Sequence, residues 1–460
     1  MIKPTPSSST KGGLLPPAVP LARLVADPGR LPPALRRMRE LRHASTADEL
    51  AFLVDEIWSE SASESASASA LASASASYGL SRLGPGDAVV DVGANVGLSA
   101  IYAAERVRVS GRDLAAGRRP GVVIALEPLP RTHAALCANF EAYLAAVAEE
   151  EEEGQGAAAR ETGEGARAQR AQGDPSSAAA SSAADAAVSA FPVVGLDVSL
   201  LRLAAVAPGQ PSRAELTTWP RAAGWATLCA TGEDDAAVER DMLVFLRSHA
   251  RAVAGGAAAA PGFGSRAMAR AGSALASSSR TSWLFDALAS AYVRRVLLAG
   301  RQTEACEART LSAVLRERLP DRREVALLKV DVERAEMAVL RGVEREDWPR
   351  IRRVVVEASA TVASGAAVAP SSPSSMPSSS SSSSLPSSLL AGAAAAAAAG
   401  GSAGTDNLDA VVRLLREVGG FRSVEVAQAP ALRGTSLFVV SAERGERTRT
   451  YSRDARPHPK

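Results

Sequence analysis

Aromatic residues make up only 4% of the 460 positions, and cysteine is confined to Cys137, Cys229 and Cys306. The three thiols are odd in number, far apart and never in a CxxC pair. That excludes a disulfide framework and a thiolate zinc site, and it fits a reducing compartment. Long apolar runs are also missing: nothing approaches the roughly 20 residues of a membrane helix, and the alanine tract at 390–400 is too short and too weakly apolar. Charge of one sign is absent too. Lysine and arginine total 52 against 50 acids, a net +2, which leaves no footprint for nucleic acid. The aromatic shortage has a second meaning. Long stretches hold little but Ala, Ser, Gly and Pro, and such stretches cannot bury enough apolar area to offset the entropy of ordering them. The 46% hydrophobic content therefore overstates the core, because much of it is alanine in those runs.

Setting the runs aside leaves chain for one α/β domain. Residues 46–445 are expected to form it, with low-complexity insertions at about 59–77, 149–190, 233–280 and 361–405, and a disordered tail at 446–460. Residues 1–45 are basic and poor in acid, and Pro16, Pro17 and Pro20 break any signal-peptide core. They read as a disordered or transit-like segment, for an intracellular protein of the cytoplasm, chloroplast or mitochondrion.

Periodicity supplies the elements. Leu50, Leu53, Val54 and Ile57 have helical spacing. Buried strands are expected at 88–92, 121–126, 191–196, 325–330 and 354–357, with helices at 98–107, 132–147, 333–341 and 408–418 between or after them. A short extended piece at 214–219 and a peripheral helix at 283–298 are weaker signals. The alternation βαβα predicts a doubly wound, mostly parallel sheet, and strands at 423–426 and 436–440 predict an antiparallel hairpin at its C-terminal end.

Three motifs carry chemistry. In Asp91-Val92-Gly93-Ala94-Asn95-Val96-Gly97 an acid ends a strand and glycines turn the chain into a helix. Glycine lets a backbone approach a ligand, and the helix N-terminus with exposed amides favours a carboxylate. The spacing GxNxG lacks the second and third glycines of the dinucleotide fingerprint, with Asn95 in place of the second, and so disfavours NAD. Glu127 ends the next strand, where doubly wound folds place an acid that accepts from a ribose. In Leu328-Lys329-Val330-Asp331-Val332-Glu333-Arg334-Ala335-Glu336, three carboxylates crowd a strand end. Crowding raises carboxyl pKa values, making Asp331, Glu333 and Glu336 candidate catalytic groups; capping the following helix is the structural role that competes with this. Oxygen ligands of this kind would suit a divalent cation, but no metal is assigned. His133 reads as part of a solvated helix N-terminus, Trp219, Trp225, Trp283 and Trp348 as packing residues, and 350–353 as a solvated junction.

Together these segments resemble the FkbM family of S-adenosylmethionine (AdoMet)-dependent methyltransferases. The resemblance runs in order through Tyr78-Gly79-Leu80, Gly84-Pro85-Gly86-Asp87, the glycine turn, Glu127-Pro128, Cys137-Ala138-Asn139-Phe140, the strand at 191–196, Thr310-Leu311, the carboxylate motif and Asp347-Trp348-Pro349. It implies a class I methyltransferase, Rossmann-like fold, AdoMet as cofactor, and a hydroxyl acceptor on a small molecule or glycan. Family AdoMet positions carry over to Asp91, Gly93, Asn95, Gly97 and Glu127, joined by Ala94 of the same turn. The catalytic carboxylates carry over to Asp331, Glu333 and Glu336. Two positions depart from the family pattern. Arg334 stands where the family's D-V-E-G-x-E has glycine, and Gly224-Trp225-Ala226-Thr227 replaces a Gly-Asn-Ser-Thr segment. A glycine that serves a positive φ or a close backbone approach leaves an arginine strained or blocking. The alternatives are therefore a non-catalytic methyltransferase-fold protein that binds AdoMet or a partner and, more weakly, an NAD-dependent oxidoreductase.

Overall fold

The computed structural model describes residues 16–25, 31, 33–44, 50, 51, 53, 54, 57, 78–161, 188–222, 226, 238–244, 246, 247, 282–360, 407–428 and 436–445. The strands are β1 (Ala18–Pro20), β2 (Glu40–Arg42), β3 (Ala88–Val92), β4 (Gly121–Leu126), β5 (Val188–Val193), β6 (Leu196–Leu201), β7 (Leu203–Ala205), β8 (Arg213–Thr218), β9 (Gln302–Arg309), β10 (Leu327–Val330), β11 (Arg353–Ser359), β12 (Ser423–Ala427) and β13 (Leu437–Glu443). The helices are α1 (Leu21–Leu24), α2 (Pro33–Arg37), α3 (Leu98–Val107), α4 (Gly111–Ala115), α5 (Pro130–Glu161), α6 (Ser282–Tyr292), α7 (Leu311–Arg318), α8 (Glu336–Arg341) and α9 (Asn407–Glu417). Among the described residues no helix is long and apolar enough to cross a membrane.

The main sheet has the order β12-β13-β11-β10-β3-β4-β6-β5. Its five central strands, β11 to β6, pair in parallel. β13 and β12 close one edge antiparallel, as the C-terminal hairpin pattern predicted, and β5 closes the other. Alternation along the strands splits the core into two layers. Val89, Ala125, Leu327 and Val355 pack with Ile101 of α3 and with Phe140 and Tyr143 of α5. Val90, Ile124, Leu328 and Val354 face the other way, toward Leu315 of α7, Leu340 of α8 and Leu415 of α9. A strand covered on both faces gains nothing from polar alternation, so β3, β4 and β10 read as mainly apolar runs, with Asp91 and Lys329 as the charged exceptions. A small sheet, β7-β9-β8, lies in the chain between β6 and β10.

Several expectations change. The single strand expected at 191–196 is a hairpin, β5 into β6, turning at Val194-Gly195. Gly195 has φ +81°, and a Cβ there would lie 1.8 Å from the Val109 carbonyl oxygen. β9 was not anticipated, because of its eight residues only Cys306 and Ala308 are buried and the rest are small or charged. Residues 1–45 were read as disordered or transit-like, yet within 16–44 Leu21, Leu24, Leu35, Met38 and Leu41 are buried in the first core layer. The arginines that suggested a targeting segment leave those leucines free to pack. The insertion placed from 149 begins later, since α5 runs to Glu161. α8 begins at Glu336, three residues after the expected start, because Glu333 and Arg334 have φ of +45° and +73°. His133, Arg353 and Ile351 are buried rather than solvated, and Trp283 is 67% exposed rather than packed. Trp219 and Trp348 are buried as expected; Trp225 and most of the low-complexity insertions lie outside the described residues.

Candidate functional site

From β3 the chain passes to β4 on one side, and later returns to β10 on the other. β3 and β10 therefore flank the point where strand order reverses, the place where open α/β sheets hold ligands beyond the carboxyl ends of their strands. The glycine turn leaves β3 there and the carboxylate turn leaves β10 beside it. The two are in backbone contact: Gly93 has φ +81°, and a Cβ on it would sit 1.7 Å from the Asp331 carbonyl oxygen. Asn95 takes φ +50°, a region asparagine tolerates better than most side chains.

The turn's amides were expected to face a ligand carboxylate. Four of them are bonded within the protein instead. Gly93 and Ala94 both donate to the Leu126 carbonyl (3.0 Å each), Gly97 donates to that of Ala94 (2.9 Å), and Asn95 donates to Glu127 Oε2 (3.0 Å). Glu127 Oε1 accepts from the Leu129 amide at 3.0 Å, so the glycine turn is tied to the end of β4 through one carboxylate.

Asp91 is 1% exposed and points inward, where Ser99 Oγ donates to its Oδ2 at 2.5 Å. Lys329, its register partner on β10, brings Nζ to 3.4 Å from Asp91 Oδ1 and 3.0 Å from Asp331 Oδ2, and lies over the Tyr78 ring. Burial alone would depress the Lys329 ammonium; Asp331 and Asp91 more than reverse this and hold it above the ordinary lysine range. Tyr78 Oη donates to Glu357 Oε2 at 2.8 Å. Glu336 is 1% exposed, with Oε1 accepting from the Arg334 amide (2.7 Å) and Oε2 from Asn407 Nδ2 (2.8 Å).

Negative charge accumulates here. Burial pushes the Glu127 carboxyl up to about 7, against the Leu129 and Asn95 amides, and the charges of Asp91 and Asp331 add to the rise. Burial raises Glu336 to about 7 as well, with Asn407 and the backbone opposing and Asp331 adding. Glu333 is raised well above the carboxylate range by burial and then by Glu357, Asp331 and Glu336. Among the described residues no group of three or more His, Cys, Asp or Glu is arranged to hold a metal.

The candidate residues named from the sequence thus come together at the carboxyl ends of the central strands β10, β3 and β4. Reasoning from sequence missed Lys329, Glu357, Tyr78, Asn407, Asp241 and Ser436 as contributors. Lys329 had a readable signal, a lone charge inside an apolar strand, which must find a partner when buried. Glu357, an acid ending a strand as Glu127 does, had another. Asp241 and Ser436 had none.

A mostly parallel α/β sheet with a glycine turn and an acid-rich strand end at its switch point is the arrangement in which doubly wound α/β proteins hold small ligands. The comparisons narrow it: the Methyltransferase FkbM domain matches residues 265–376, which include β9 to β11 and the carboxylate turn but not the glycine turn. The chain is also similar to methyltransferase sdnD of Sordaria araneosa, 51% identical over 57 residues, which are 11% of this chain and 22% of that protein. It is similar to 31-O-demethyl-FK506 methyltransferase FkbM of Streptomyces tacrolimicus, 64% identical over 33 residues, 7% of this chain and 13% of that protein. The matches thus span less than a quarter of the length of these curated relatives. No solved structure matches. The resemblance to FkbM methyltransferases read from the sequence is met by these findings.

Proposed function

We propose that the chain is an AdoMet-dependent methyltransferase, of the class I fold, that methylates a hydroxyl oxygen on a small molecule or a sugar. The observation that carries this is the crowding of carboxylates at the switch point, where burial raises Glu127, Glu333 and Glu336 and the nearby acids add to it: Asp91 and Asp331 at Glu127, Glu357 and Asp331 at Glu333, and Asp331 at Glu336. A site of this sign suits a cationic ligand such as a sulfonium. A dinucleotide's pyrophosphate would meet like charge, and the turn amides that could cradle it are already bonded, so NAD is disfavoured on both counts.

Glu127 would hold ribose hydroxyls, with Gly93, Ala94, Asn95 and Gly97 as the floor and Asp91 fixing Lys329 beneath. Bound AdoMet supplies an electrophilic methyl group. The chain's own work is to orient the acceptor, exclude water and receive a proton. Glu333 is suited to the last task, being half-buried and raised above the carboxylate range by burial and then by Glu357, Asp331 and Glu336. Glu336, whose two oxygens are both engaged, is suited to fixing the turn. The non-catalytic reading rested on Arg334, and its side chain is bonded to Asp241.

Calorimetric titration tests the cofactor. AdoMet should bind in the micromolar range, NAD should not, and Glu127→Ala should weaken AdoMet by about 1–3 kcal/mol, the cost of losing a charged hydrogen-bonding partner. Folded protein that binds NAD and not AdoMet would overturn the reading. Methyl transfer to a panel of hydroxyl acceptors tests the chemistry, with Glu333→Gln expected to lower kcat by about a hundredfold or more.

A further inference from the structure

Residues 238–247 fall in the chain between β8 and β9, and their Val238 and Met242 pack with Trp219, Ala222 and Val293 in a small cluster separate from both core layers of the main sheet. From this segment Asp241 reaches the main sheet. Its Oδ2 accepts from Arg334 Nη2 at 2.8 Å and from Ser436 Oγ at 2.6 Å, and its Oδ1 accepts from the Ser436 amide at 2.9 Å. The junction is largely buried: Asp241 is 5% exposed, Ser436 is 6% exposed, and the Arg334 side chain is 13% exposed. Ser436 precedes β13, whose Leu437 pairs with Ser359 at the carboxyl end of β11. The contact therefore lies at the end of the sheet that carries the site.

Arg334 is held at φ +73° directly after Glu333 at φ +45°. Two successive side chains in this region persist only where their surroundings over-determine them. Here the guanidinium is fixed by Asp241 and the amide by Glu336, which is itself fixed by Asn407. Glu333 lies immediately before this doubly anchored residue.

We infer that Asp241 and Arg334 form a latch between the 238–247 segment and the carboxylate turn, and that both are positioning residues for Glu333. The inference rests on the methyltransferase reading for its kinetic consequences, but not for the latch itself. It also accounts for how an arginine is held in a conformation that glycine would adopt unaided. Removing the acid would leave the largely enclosed Arg334 guanidinium without the Asp241 contact in a strained turn, whereas glycine adopts φ > 0 freely and carries no charge.

The test uses the full chain with Asp241→Ala, Asp241→Asn, Arg334→Gly and the Asp241→Ala/Arg334→Gly double variant. Arg294→Ala serves as control, since it breaks the exposed Arg294–Glu239 pair on the same segment. Hydrogen–deuterium exchange over 331–337, kcat, KM and AdoMet affinity are measured. Asp241→Ala should speed exchange over 331–337 at least tenfold and lower kcat at least tenfold, with AdoMet affinity within twofold. The double variant should recover half or more of the lost kcat, and the control should match the wild type. Unchanged exchange in folded Asp241→Ala overturns the latch. A kcat loss that Arg334→Gly does not relieve overturns the positioning role. If Asp241→Ala does not fold, Asp241→Asn, which keeps acceptor and donor atoms toward Ser436, is held to the same criteria. Wild-type protein that neither binds AdoMet nor transfers methyl defeats the functional reading, and exchange still decides the latch.

Discussion

Gly93 is the residue at which the glycine turn and the carboxylate turn touch. A methyl there would overlap the Asp331 carbonyl, whose carbon would also be within 2.7 Å, and both are backbone atoms that cannot rotate away. Gly97 is different: its added Cβ would meet the terminal Cδ1 of Leu136 at 2.4 Å, an end that can change rotamer. Gly93→Ala should therefore destabilise by about 3 kcal/mol or more, combining left-handed strain with overlap, and Gly97→Ala by less. Chemical denaturation of the two variants checks the order. Lys329 offers a second test. Replacing it by Met leaves Asp91 buried without its cation and should cost about 3–5 kcal/mol, part of which Asp91→Asn should restore. Glu336 offers a third. Its folded pKa of about 7 exceeds the ordinary glutamate value of 4.5, so the folded state binds more protons between those values. Its contribution falls as pH rises from about 4.5 to about 7 and is level above that. Glu336→Gln should gain stability relative to the wild type over that window, by no more than about 3 kcal/mol. A difference that stays flat from pH 4.5 to 8 would show that the group is not raised.

Among the elements, the N-terminal pair β1 and β2 has the least obvious link to function. Asn139 on α5 makes it. Its Oδ1 accepts from the Arg42 amide at 2.7 Å, and its Nδ2 donates to the Arg42 carbonyl (3.1 Å) and to that of Val96 in the glycine turn (2.8 Å). One buried amide thus ties β2, α5 and the turn. Asn139→Ala should cost about 1–3 kcal/mol, through groups left unpaired, and should weaken AdoMet as well; unaltered thermal stability would count against the tie. Elements with strong apolar runs, β3, β4, β10 and β11, were legible in the sequence because burial on both faces leaves them few polar positions, and those few, such as Asp91 and Lys329, are paired. The hairpin β5–β6 and strand β9 were not. In the first a single glycine divides one apolar run, and in the second the strand's pairing is set by β7 and β8 rather than by its own side chains.

For the whole molecule, the doubly wound plan and the strand ends that hold the candidate site followed from the order of motifs, since Asp91, Glu127 and Asp331 each close a buried strand. The second set of contacts did not, because Asp241 and Ser436 come from segments nearly 200 residues apart and gain meaning only when the sheet brings them together. The chain between Ala360 and Asn407 spans 361–406 and is dominated by Ser, Ala and Pro. Shortening it about fourfold removes loop-closure entropy worth about 1 kcal/mol, so stability should rise by that amount with methyl transfer unchanged. A loss of stability would show that this stretch contributes contacts. The meeting of Gly93 and Asp331 has a broader consequence. On the proposed methyltransferase reading, the spacing between a donor at the β3 turn and an acceptor at the β10 turn would be set by one main chain resting on another. It would be a fixed gauge, so changes to the side chains that choose the acceptor would alter what is methylated without altering how far the methyl has to travel.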